Sequence, residues 1–485
     1  MSPMKVLCFD LSASSGRFIA VSFIDGKIDS EETYRFPNHP VEKQGHLYWD
    51  IDVIEKEFFK GLQASFSLHP DIESVGVDTF GVDYLRLDKR GFLLSSPFAY
   101  RDSRCLKAME EVLSRIPYSK IYRDTGIQRL PFNTLFQLCD DVAKGRELSE
   151  ILFLPDYFNY LLTGVKATER TIASTGAILS LDHEFDIPLL ESLGIRPDIF
   201  APLADPSTTL GTFKEDLAKK LGLPRAKVIL TASHDTASAV ASIDLDPSTA
   251  YLSSGTWSLL GVETRFPIVT KRSEESNFTN ELGLHNTNRF LKNIMGLFVI
   301  QELVNGWKVT DPRLDFAALA LEAEEATALP YFIDVDDPVF STPMDMEEKF
   351  YRYLKKTKQE TGVLTRGEIA RIVYESMAFA YKRHFDSLQE ILGKTYGRLV
   401  VVGGGSKADL LNRFIADALQ IKVETGQSEA TVYGNAIAQF LGLDPSLSWE
   451  DLRNAAIPEN RRTYLPSSDL SPRYQRYLEI IHRRK

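Results

Sequence analysis

Two short segments, one in each half of the chain, resemble each other in the order of their residue types. Residues 6–21 read VLCFDLSASSGRFIAV, and residues 249–264 read TAYLSSGTWSLLGVET. Each segment is an apolar run, a turn of small residues and a second apolar run, which is the pattern of a β-hairpin. The likeness predicts either an internal repeat, in which two similar domains each open with such a hairpin, or two unrelated hairpins.

The length of the chain also calls for more than one hydrophobic core. The chain has 485 residues, and a single core rarely grows beyond about 250–300 residues. Asp246 and Pro247 interrupt the pattern between the halves, so we expect an N-terminal domain of residues 1–243 and a C-terminal domain of residues 244–485. Strand patterns alternate with helical ones, and the apolar run at 398–402 predicts a central strand, so the predicted fold class is α/β.

Composition and charge exclude several classes of protein. Hydrophobic residues make up 44% and charged residues 25% of the chain, which is ordinary for a globular protein and excludes a disordered one. The chain has 56 Lys and Arg against 67 Asp and Glu, a formal net charge of −11, so we expect no nucleic-acid partner. No apolar run approaches the ~18–20 residues that span a bilayer and no secretory signal is evident, so we expect no membrane association.

The cysteines bear on the compartment. Cys8, Cys105 and Cys139 lie far apart in the sequence and show no Cys-x-x-Cys spacing. A disulfide framework or a zinc site is therefore not expected. A reducing, cytoplasmic location is the expectation that follows.

The turn of the first hairpin combines a carboxylate with small residues. Asp10 ends the apolar strand and is followed by Ser12, Ala13, Ser14, Ser15, Gly16 and Arg17. Small residues let backbone N–H groups approach a phosphate closely, and a carboxylate beside them suits Mg²⁺, which prefers hard oxygen ligands. The alternative is an ordinary turn in which the aspartate accepts a local hydrogen bond.

The second hairpin offers the same chemistry in its turn, which reads Ser253, Ser254, Gly255 and Thr256. Two such turns facing one cleft could hold a polyphosphate from both sides. The chain contains no G-x-x-x-x-G-K-[ST] segment, so a P-loop kinase is not supported.

Asp235 lies between a short apolar run and an Ala-rich helical segment. Loops at the carboxyl ends of strands carry the chemistry of α/β proteins, and a carboxylate there can accept the proton of an attacking hydroxyl. The alternative role is a helix N-cap, for which Asp is a preferred residue. The neighbouring His234 has no His or Cys partner at metal-ligand spacing, so we expect it to donate or accept a hydrogen bond.

A further loop follows the apolar run near residue 77 and contains Gly81 and Asp83. Carboxylates, and amides such as Asn293, are what a sugar site needs, because each buried hydroxyl must meet a donor or an acceptor. The alternative is a structural ion-pair cluster, which suits the nearby Arg104 better than Asp83.

The third glycine-rich segment follows the strand predicted at 398–402. Gly403, Gly405 and Ala408 match G-x-G-x-x-A, and Glu424 ends the next apolar run. This pattern is close to a dinucleotide-binding fingerprint and predicts an NAD-dependent oxidoreductase. That reading leaves both serine-rich turns and Asp235 without a role, and a glycine turn beneath the adenine or phosphate of a mononucleotide uses the same physics.

Taken together, these segments resemble the FGGY carbohydrate kinases of the actin-like, ribonuclease H-like ATPase superfamily. The stretches that carry the resemblance are DLSASSGR, GVDTFGVDYLRLD, ASHDTASAV, AYLSSGTWSLLG and LKNIMGL, followed by the triple glycine. The resemblance implies two domains, each a mixed β-sheet flanked by helices, around a central cleft. It implies an enzyme that transfers a phosphoryl group from ATP to a ketose with Mg²⁺, acting as a monomer or a homodimer.

The resemblance also assigns roles to residues. It places ATP contacts at Ala13, Ser14, Ser15, Gly16, Arg17, Thr256, Gln301 and Gly404. It places ketose contacts at Gly81, His234, Asp235, Thr236 and Asn293, to which the loop chemistry described above adds Asp83. Asp235 matches the catalytic base, and Asp10 would bind Mg²⁺, directly or through water.

The chain departs from the family pattern at two of these segments. Ser12 stands where such kinases usually have Gly, which would tighten the turn, and Ala408 stands where an Asn commonly reaches the adenine. Two alternatives to a ketose kinase remain from the residues alone. One is the NAD-dependent oxidoreductase, and the other is a non-catalytic sugar sensor that binds ATP.

Overall fold

The computed structural model describes residues 3–482 and divides into two compact units. Unit 1 contains the described residues up to Asp244 together with Glu263–Phe290 and Ala430–Ile457. Unit 2 contains Leu245–Val262, Leu291–Glu429 and the described residues from Pro458 onward. Two segments from the second half of the sequence therefore fold into the unit that the first half builds.

Each unit combines strands with helices. The strands are β1 (Met4–Leu11), β2 (Ser15–Ile24), β3 (Lys27–Pro37), β4 (Val41–Lys43), β5 (His46–Tyr48), β6 (Ser74–Thr79), β7 (Tyr84–Leu87), β8 (Glu150–Phe153), β9 (Thr168–Glu169), β10 (Leu203–Ala204), β11 (Thr209–Thr212), β12 (Lys227–Ile229), β13 (Thr249–Ser254), β14 (Trp257–Thr264), β15 (Thr279–Leu282), β16 (Asn288–Met295), β17 (Arg398–Val402), β18 (Lys422–Thr425) and β19 (Thr463–Tyr464). The helices are α1 (Ile51–Leu68), α2 (Arg104–Arg115), α3 (Tyr118–Thr125), α4 (Thr134–Ala143), α5 (Leu154–Thr163), α6 (Arg170–Ala173), α7 (Ile187–Ser192), α8 (Glu215–Leu221), α9 (Asp235–Ala241), α10 (Lys271–Glu275), α11 (Phe298–Trp307), α12 (Phe316–Glu325), α13 (Met346–Lys356), α14 (Arg366–Leu392), α15 (Asp409–Leu419), α16 (Ala430–Leu443), α17 (Trp449–Ala455) and α18 (Ser471–His482).

The main sheet of unit 1 has the order β11-β12-β6-β1-β2-β3. Strand β1 runs antiparallel to β2 and parallel to β6, and β6 runs parallel to β12, so the sheet is mixed. Successive side chains of a strand point to opposite faces of the sheet, and helices pack against both faces of this one. Leu7 and Phe9 pack in one core cluster with Phe58 of α1, whereas Val6 and Cys8 pack in another with residues of α9 and α16.

The main sheet of unit 2 has the same plan. Its strands follow the order β16-β14-β13-β17-β18-β19. Strand β13 runs antiparallel to β14 and parallel to β17, and β17 runs parallel to β18. The predicted central strand at 398–402 is confirmed, since β17 has a neighbour on either side.

The two predicted hairpins are both confirmed as β1–β2 and β13–β14. They also hold the same place in their sheets, with the first strand of each pairing in parallel with the next strand of the core. This shared topology favours the internal repeat over two unrelated hairpins, and it confirms the predicted α/β class with a mixed sheet in each unit.

Candidate active site

Asp10, Arg17 and Asp78 form a row across the sheet of unit 1. Asp10 faces Arg17 across the antiparallel pair and Asp78 across the parallel pair. All three side chains therefore lie on the face that α9 and α16 cover, at the carboxyl ends of β1 and β6. Arg17 Nη2 donates to Asp10 Oδ2, and the Asp10 side chain is only 4% exposed. The arginine thus compensates the charge of a carboxylate that water scarcely reaches.

Asp78 is a functional candidate that the sequence analysis did not single out. It is fully buried, and Asn435 Nδ2 on α16 donates to its Oδ2 while Oδ1 has no hydrogen-bond partner among the described residues. Burial, reinforced by the charges of Asp10 and Asp235, raises the pKa of Asp78 well above its ordinary value. The signal available in the sequence was its position at the end of a predicted buried strand.

Helix α16 supplies a polar network beneath this row, although it comes from near the end of the chain. Gln439 Nε2 donates to Asn435 Oδ1 at 2.7 Å, and Ser74 Oγ donates to Gln439 Oε1 at 2.7 Å. Gly76 is required here, because a Cβ at that position would lie 2.7 Å from both the Asn435 and the Gln439 side chains. The signal for this network in the sequence was Asn435 and Gln439, a polar pair at i and i+4 on an otherwise apolar helix.

The turn between β1 and β2 is held by its own serine. Ser12 Oγ accepts from the backbone N–H of Ser15 at 3.1 Å and of Ser14 at 3.3 Å. Asn38 Nδ2 donates to the Ser12 carbonyl at 2.8 Å. A Cβ on Gly16 would lie 2.2 Å from the Phe36 ring, so only glycine fits without displacing that ring. That Ser12 tightens the turn relative to Gly stays a prediction, which these hydrogen bonds support, and Ala13 packs half-buried against the core.

Asp235 opens helix α9 beside the row of carboxylates. The N-cap of α9 is His234 and not Asp235, so the N-cap role is not the one this aspartate plays. Thr236 Oγ1 donates to Asp235 Oδ1 at 3.0 Å, and His234 Nε2 lies 3.4 Å from the same oxygen. The Asp235 side chain is 30% exposed, and partial burial raises its pKa. A partly exposed carboxylate with a raised pKa is a stronger base than an ordinary aspartate, which suits it to accept a proton.

A buried carboxylate anchors the loop that carries His234 and Asp235. Glu169 Oε2 accepts from the backbone N–H of Ser233 at 3.1 Å and from Thr171 Oγ1 at 2.6 Å. The N–H of His234 in turn points at Thr171 Oγ1 at 3.4 Å. Burial raises the pKa of Glu169 to about 7, although these hydrogen bonds oppose the shift. The sequence held no signal for this contact, since Glu169 is remote from the loop along the chain.

Gly81 lies against His234, whereas Asp83 is committed to internal hydrogen bonds. A Cβ on Gly81 would lie 3.4 Å from His234 Nε2 and 3.1 Å from Thr175 Oγ1. The buried Asp83 carboxylate accepts from Trp49 Nε1 at 2.7 Å, the Tyr100 N–H at 2.9 Å and Gln137 Nε2 at 3.0 Å. A role for Asp83 in binding sugar stays a prediction.

Arg104 belongs to a structural ion-pair cluster, as the alternative interpretation in the sequence analysis predicts. Its Nη1 lies 3.0 Å from Asp140 Oδ2 and 2.8 Å from Asp141 Oδ1. The Arg104 side chain is buried, and Arg146, which follows α4, forms ion pairs with the same two aspartates. These charges satisfy one another and are not available to a ligand.

In unit 2 the structure brings two of the predicted motifs together. Gly403 adopts φ +78°, and a Cβ there would lie 2.9 Å from the Ser254 carbonyl oxygen. A Cβ on Gly405 would lie 2.0 Å from Ser254 Oγ, so the glycine turn packs directly on the turn of the second hairpin. Gly404 is exposed at the tip, and Thr256 Oγ1 donates to Gln301 Oε1 at 3.3 Å.

The dinucleotide fingerprint is not fulfilled by this geometry. A short 3-10 helix, Gly404–Lys407, begins within the glycine turn, and α15 begins only after it, at Asp409. The Glu424 carboxylate is held by Arg398 at 2.7 Å and by Lys422 at 2.8 Å, so it is not free for a ribose. Asn293 is half-buried on β16 in the same unit, and its contact with sugar stays a prediction.

The donor set around Asp10 fits one kind of metal site. Among residues 3–482, no three His, Cys, Asp or Glu side chains are placed to hold a metal ion together. Mg²⁺ commonly keeps several waters and is bound by one or two carboxylates plus substrate phosphates. The buried Asp10 carboxylate beside a phosphate-compatible turn agrees with that pattern.

Among the same described residues, no helix has the length and apolar character needed to span a membrane.

Comparison with known proteins gives matches over nearly the whole chain. Models of the N-terminal and C-terminal domains of the FGGY family of carbohydrate kinases match residues 5–242 and 250–443. A rhamnulokinase of Bacteroides thetaiotaomicron is 41% identical over 467 residues, covering 94% of this chain and 95% of that protein. A rhamnulokinase of Oceanobacillus iheyensis is 38% identical over 443 residues, covering 90% and 93%. A xylulose kinase from Lactobacillus acidophilus is 18% identical with a TM-score of 0.76, covering 99% and 96%, and shares the fold.

Proposed function

This chain belongs to the FGGY family of carbohydrate kinases, and we propose that within the family it is a rhamnulokinase. In this proposal it transfers the γ-phosphoryl group of ATP to the 1-hydroxyl of L-rhamnulose, giving L-rhamnulose 1-phosphate in rhamnose catabolism. The observation that carries the proposal is the likeness to rhamnulokinases at 38–41% identity over at least 90% of the chain. Family membership also removes the NAD-dependent oxidoreductase from consideration.

Asp235 is the proposed catalytic base. The sugar hydroxyl oxygen forms its bond to the γ-phosphorus as the bond from that phosphorus to the ADP oxygen breaks, and the Asp235 carboxylate takes the hydroxyl proton. Its exposed face and raised pKa support this role. Thr236 and His234 both point at Oδ1, which leaves Oδ2 as the acceptor. Such proton transfer contributes about 10²–10⁴-fold in rate.

The two small-residue turns are the proposed holders of the nucleotide. In unit 1, backbone N–H groups of residues 13–16 and the Arg17 guanidinium would bind phosphate oxygens. In unit 2, Thr256, Gln301 and Gly404 would bind on the nucleotide side. The packing of the glycine turn on Ser254 supports the second assignment, because it places the polar groups of both segments side by side.

The proposed ketose contacts are Gly81, Asp83, His234, Asp235, Thr236 and Asn293. The absence of a side chain at Gly81 supports its place in the group, since a sugar could lie against His234 there. Asp10 would hold Mg²⁺ directly or through water. When bound, that ion offsets charge developing on the phosphate oxygens.

ADP release against a panel of acceptors tests the proposal. The panel contains L-rhamnulose, L-fuculose, L-xylulose and glycerol, each with Mg²⁺ and with excess EDTA. We expect the highest kcat/KM with L-rhamnulose and loss of turnover in EDTA. Preference for L-fuculose or another ketose would make the chain a sister kinase of the same family. Sugar binding without ADP release from any acceptor would indicate a non-catalytic sensor.

The proposal also covers the cellular compartment and the oligomeric state. We propose action in the cytoplasm, which the three cysteines support because they are buried and unbridged and such thiols persist in reducing compartments. We propose a monomer or a homodimer, which sedimentation of the purified protein distinguishes.

A further inference from the structure

A buried ion pair lies behind His234 in unit 1. Arg289 is completely buried, and its Nη2 lies 3.1 Å from His234 Nδ1 and 3.2 Å from Glu281 Oε2. Its Nε donates to the Leu282 carbonyl at 3.0 Å. Neither Arg289 nor Glu281 belongs to the nucleotide or sugar contacts assigned above. Burying an arginine carries a desolvation penalty, because the guanidinium loses its contacts with water. We therefore expect Arg289 to have a role that a smaller apolar side chain could not fill.

The contact with Arg289 dictates which ring nitrogen of His234 carries the proton. A guanidinium group has N–H donors and no acceptor. Hydrogen bonding from Arg289 Nη2 therefore requires a lone pair on His234 Nδ1. In a neutral imidazole the proton must then reside on Nε2.

Glu281 lies where it would favour the opposite tautomer of His234. Its Oε2 lies 3.4 Å from His234 Nδ1, and a carboxylate would favour a proton on that nitrogen. The geometry favours the arginine, because its nitrogen is closer to Nδ1 and Glu281 Oε2 makes no hydrogen bond among the described residues. Glu281 instead neutralises Arg289, whose Nη2 lies 3.2 Å from Glu281 Oε2.

We propose that Arg289 is a positioning residue that fixes His234 as the Nε2–H tautomer, so that His234 presents a donor to Asp235 and to a sugar oxygen at Gly81. The part that concerns the sugar rests on the proposed function. His234 Nε2 lies 3.4 Å from Asp235 Oδ1 and faces the position where Gly81 has no side chain. With Nε2–H and Thr236 Oγ1 both donating to Oδ1, Oδ2 is left to accept the hydroxyl proton. The other tautomer would place a lone pair against the carboxylate and repel it.

The tautomer can be read without any sugar. Two-bond ¹⁵N–¹H correlation spectra of protein labelled in its 8 histidines distinguish a protonated ring nitrogen from an unprotonated one. His234→Gln assigns the signal by its disappearance. At pH 8 we expect an unprotonated Nδ1 and a protonated Nε2 in the wild-type protein. In Arg289→Met we expect this pattern to be lost.

Kinetics in the same variants test the consequence for catalysis. We expect Arg289→Met to lower kcat for the sugar by about tenfold or more, the scale of one lost hydrogen bond at a reacting group, with KM for ATP changed less than about twofold. Arg289→Lys retains a cationic donor and should recover part of both the spectrum and kcat. Arg453→Met is the matched control, since it removes another buried arginine of unit 1, paired with Glu263 at 2.7 Å, and should leave the His234 signal in place.

A proton on Nδ1 in the wild-type spectrum would overturn the proposal, as would an unchanged tautomer and kcat in a folded Arg289→Met variant. Failure of the proposed function gives a different result. In that case L-rhamnulose would not be phosphorylated while the His234 tautomer stayed as described.

Discussion

The hydroxyl of Ser12 accepts hydrogen bonds from two backbone N–H groups, those of Ser14 and Ser15, that we propose as phosphate contacts. A nucleotide must displace this hydroxyl to use both groups, and a hydrogen bond is worth about 0.5–1.5 kcal/mol net. We therefore expect Ser12→Gly to lower KM for ATP by about three- to tenfold, measured by ADP release at saturating sugar. Ser12→Thr keeps the hydroxyl and should resemble the wild type. An unchanged or higher KM in Ser12→Gly would contradict the competition.

Asp235 carries the proposed proton transfer. Asp235→Asn keeps the size of the side chain and its contact with Thr236 but removes the basic oxygen. We expect kcat to fall at least about 100-fold, while the affinities for sugar and ATP, measured by calorimetry, change little. The exposed Asp182 provides a matched control, and Asp182→Asn should behave as the wild type. Near-normal turnover in Asp235→Asn would remove this residue from the role.

Asp83 makes stability depend on pH. Burial, opposed by hydrogen bonds from Trp49, Gln137 and Tyr100, raises its pKa to about 7. The folded protein then holds this proton more tightly than the unfolded chain. The resulting stabilisation is complete below the ordinary Asp pKa and is lost as the pH rises through about 7, on the order of 4 kcal/mol in all.

Denaturant unfolding of the wild type and of Asp83→Asn between pH 4 and 8 isolates this contribution. The free energy of unfolding should fall more steeply with pH in the wild type than in the variant, which has no carboxyl to titrate. Parallel curves would contradict the raised pKa of Asp83.

At the scale of elements, the glycine turn after β17 depends on close packing against β13. A Cβ on Gly405 would lie 2.0 Å from Ser254 Oγ, so Gly405→Ala must displace the turn of the second hairpin. We expect KM for ATP to rise about tenfold or more, the scale of one lost hydrogen bond to a charged ligand. Gly397→Ala meets nothing within 4 Å and is the matched control. Equal KM values in the two variants would contradict a role for this packing in nucleotide binding.

The elements could be predicted where their signals are local. Both hairpins and the central strand β17 follow from runs of apolar residues and small-residue turns in a few consecutive positions. Asp78 and Asn435 could not be predicted as partners, because their contact depends on strand register and on the return of α16 from late in the chain to unit 1. The contact of Arg289 and Glu281 with His234 could not be predicted for the same reason. The two residues lie at the start of β16 and on β15, in a segment of unit 1 that follows a segment of unit 2 in the sequence.

At the scale of the whole molecule, the repeat explains how the candidate residues are distributed. Both sheets place a hairpin beside a parallel strand, and in each unit a turn of small residues joins the two strands of that hairpin. Unit 1 adds the carboxylates of Asp10, Asp78 and Asp235, whereas unit 2 adds the glycine turn. Both units thus carry a phosphate-compatible turn, whereas the candidate catalytic base lies in unit 1, an arrangement that agrees with transfer from one nucleotide to one acceptor.

The product of the reaction provides the most direct measurement. Purified protein is incubated with ATP, Mg²⁺ and ¹³C-labelled L-rhamnulose, and the mixture is followed by ³¹P and ¹³C NMR. We predict that ADP and one phosphate ester form in equal amounts, with phosphorus coupled to carbon 1 of the sugar. ADP without an ester, an ester on another carbon, or no reaction with L-rhamnulose would contradict the proposed activity.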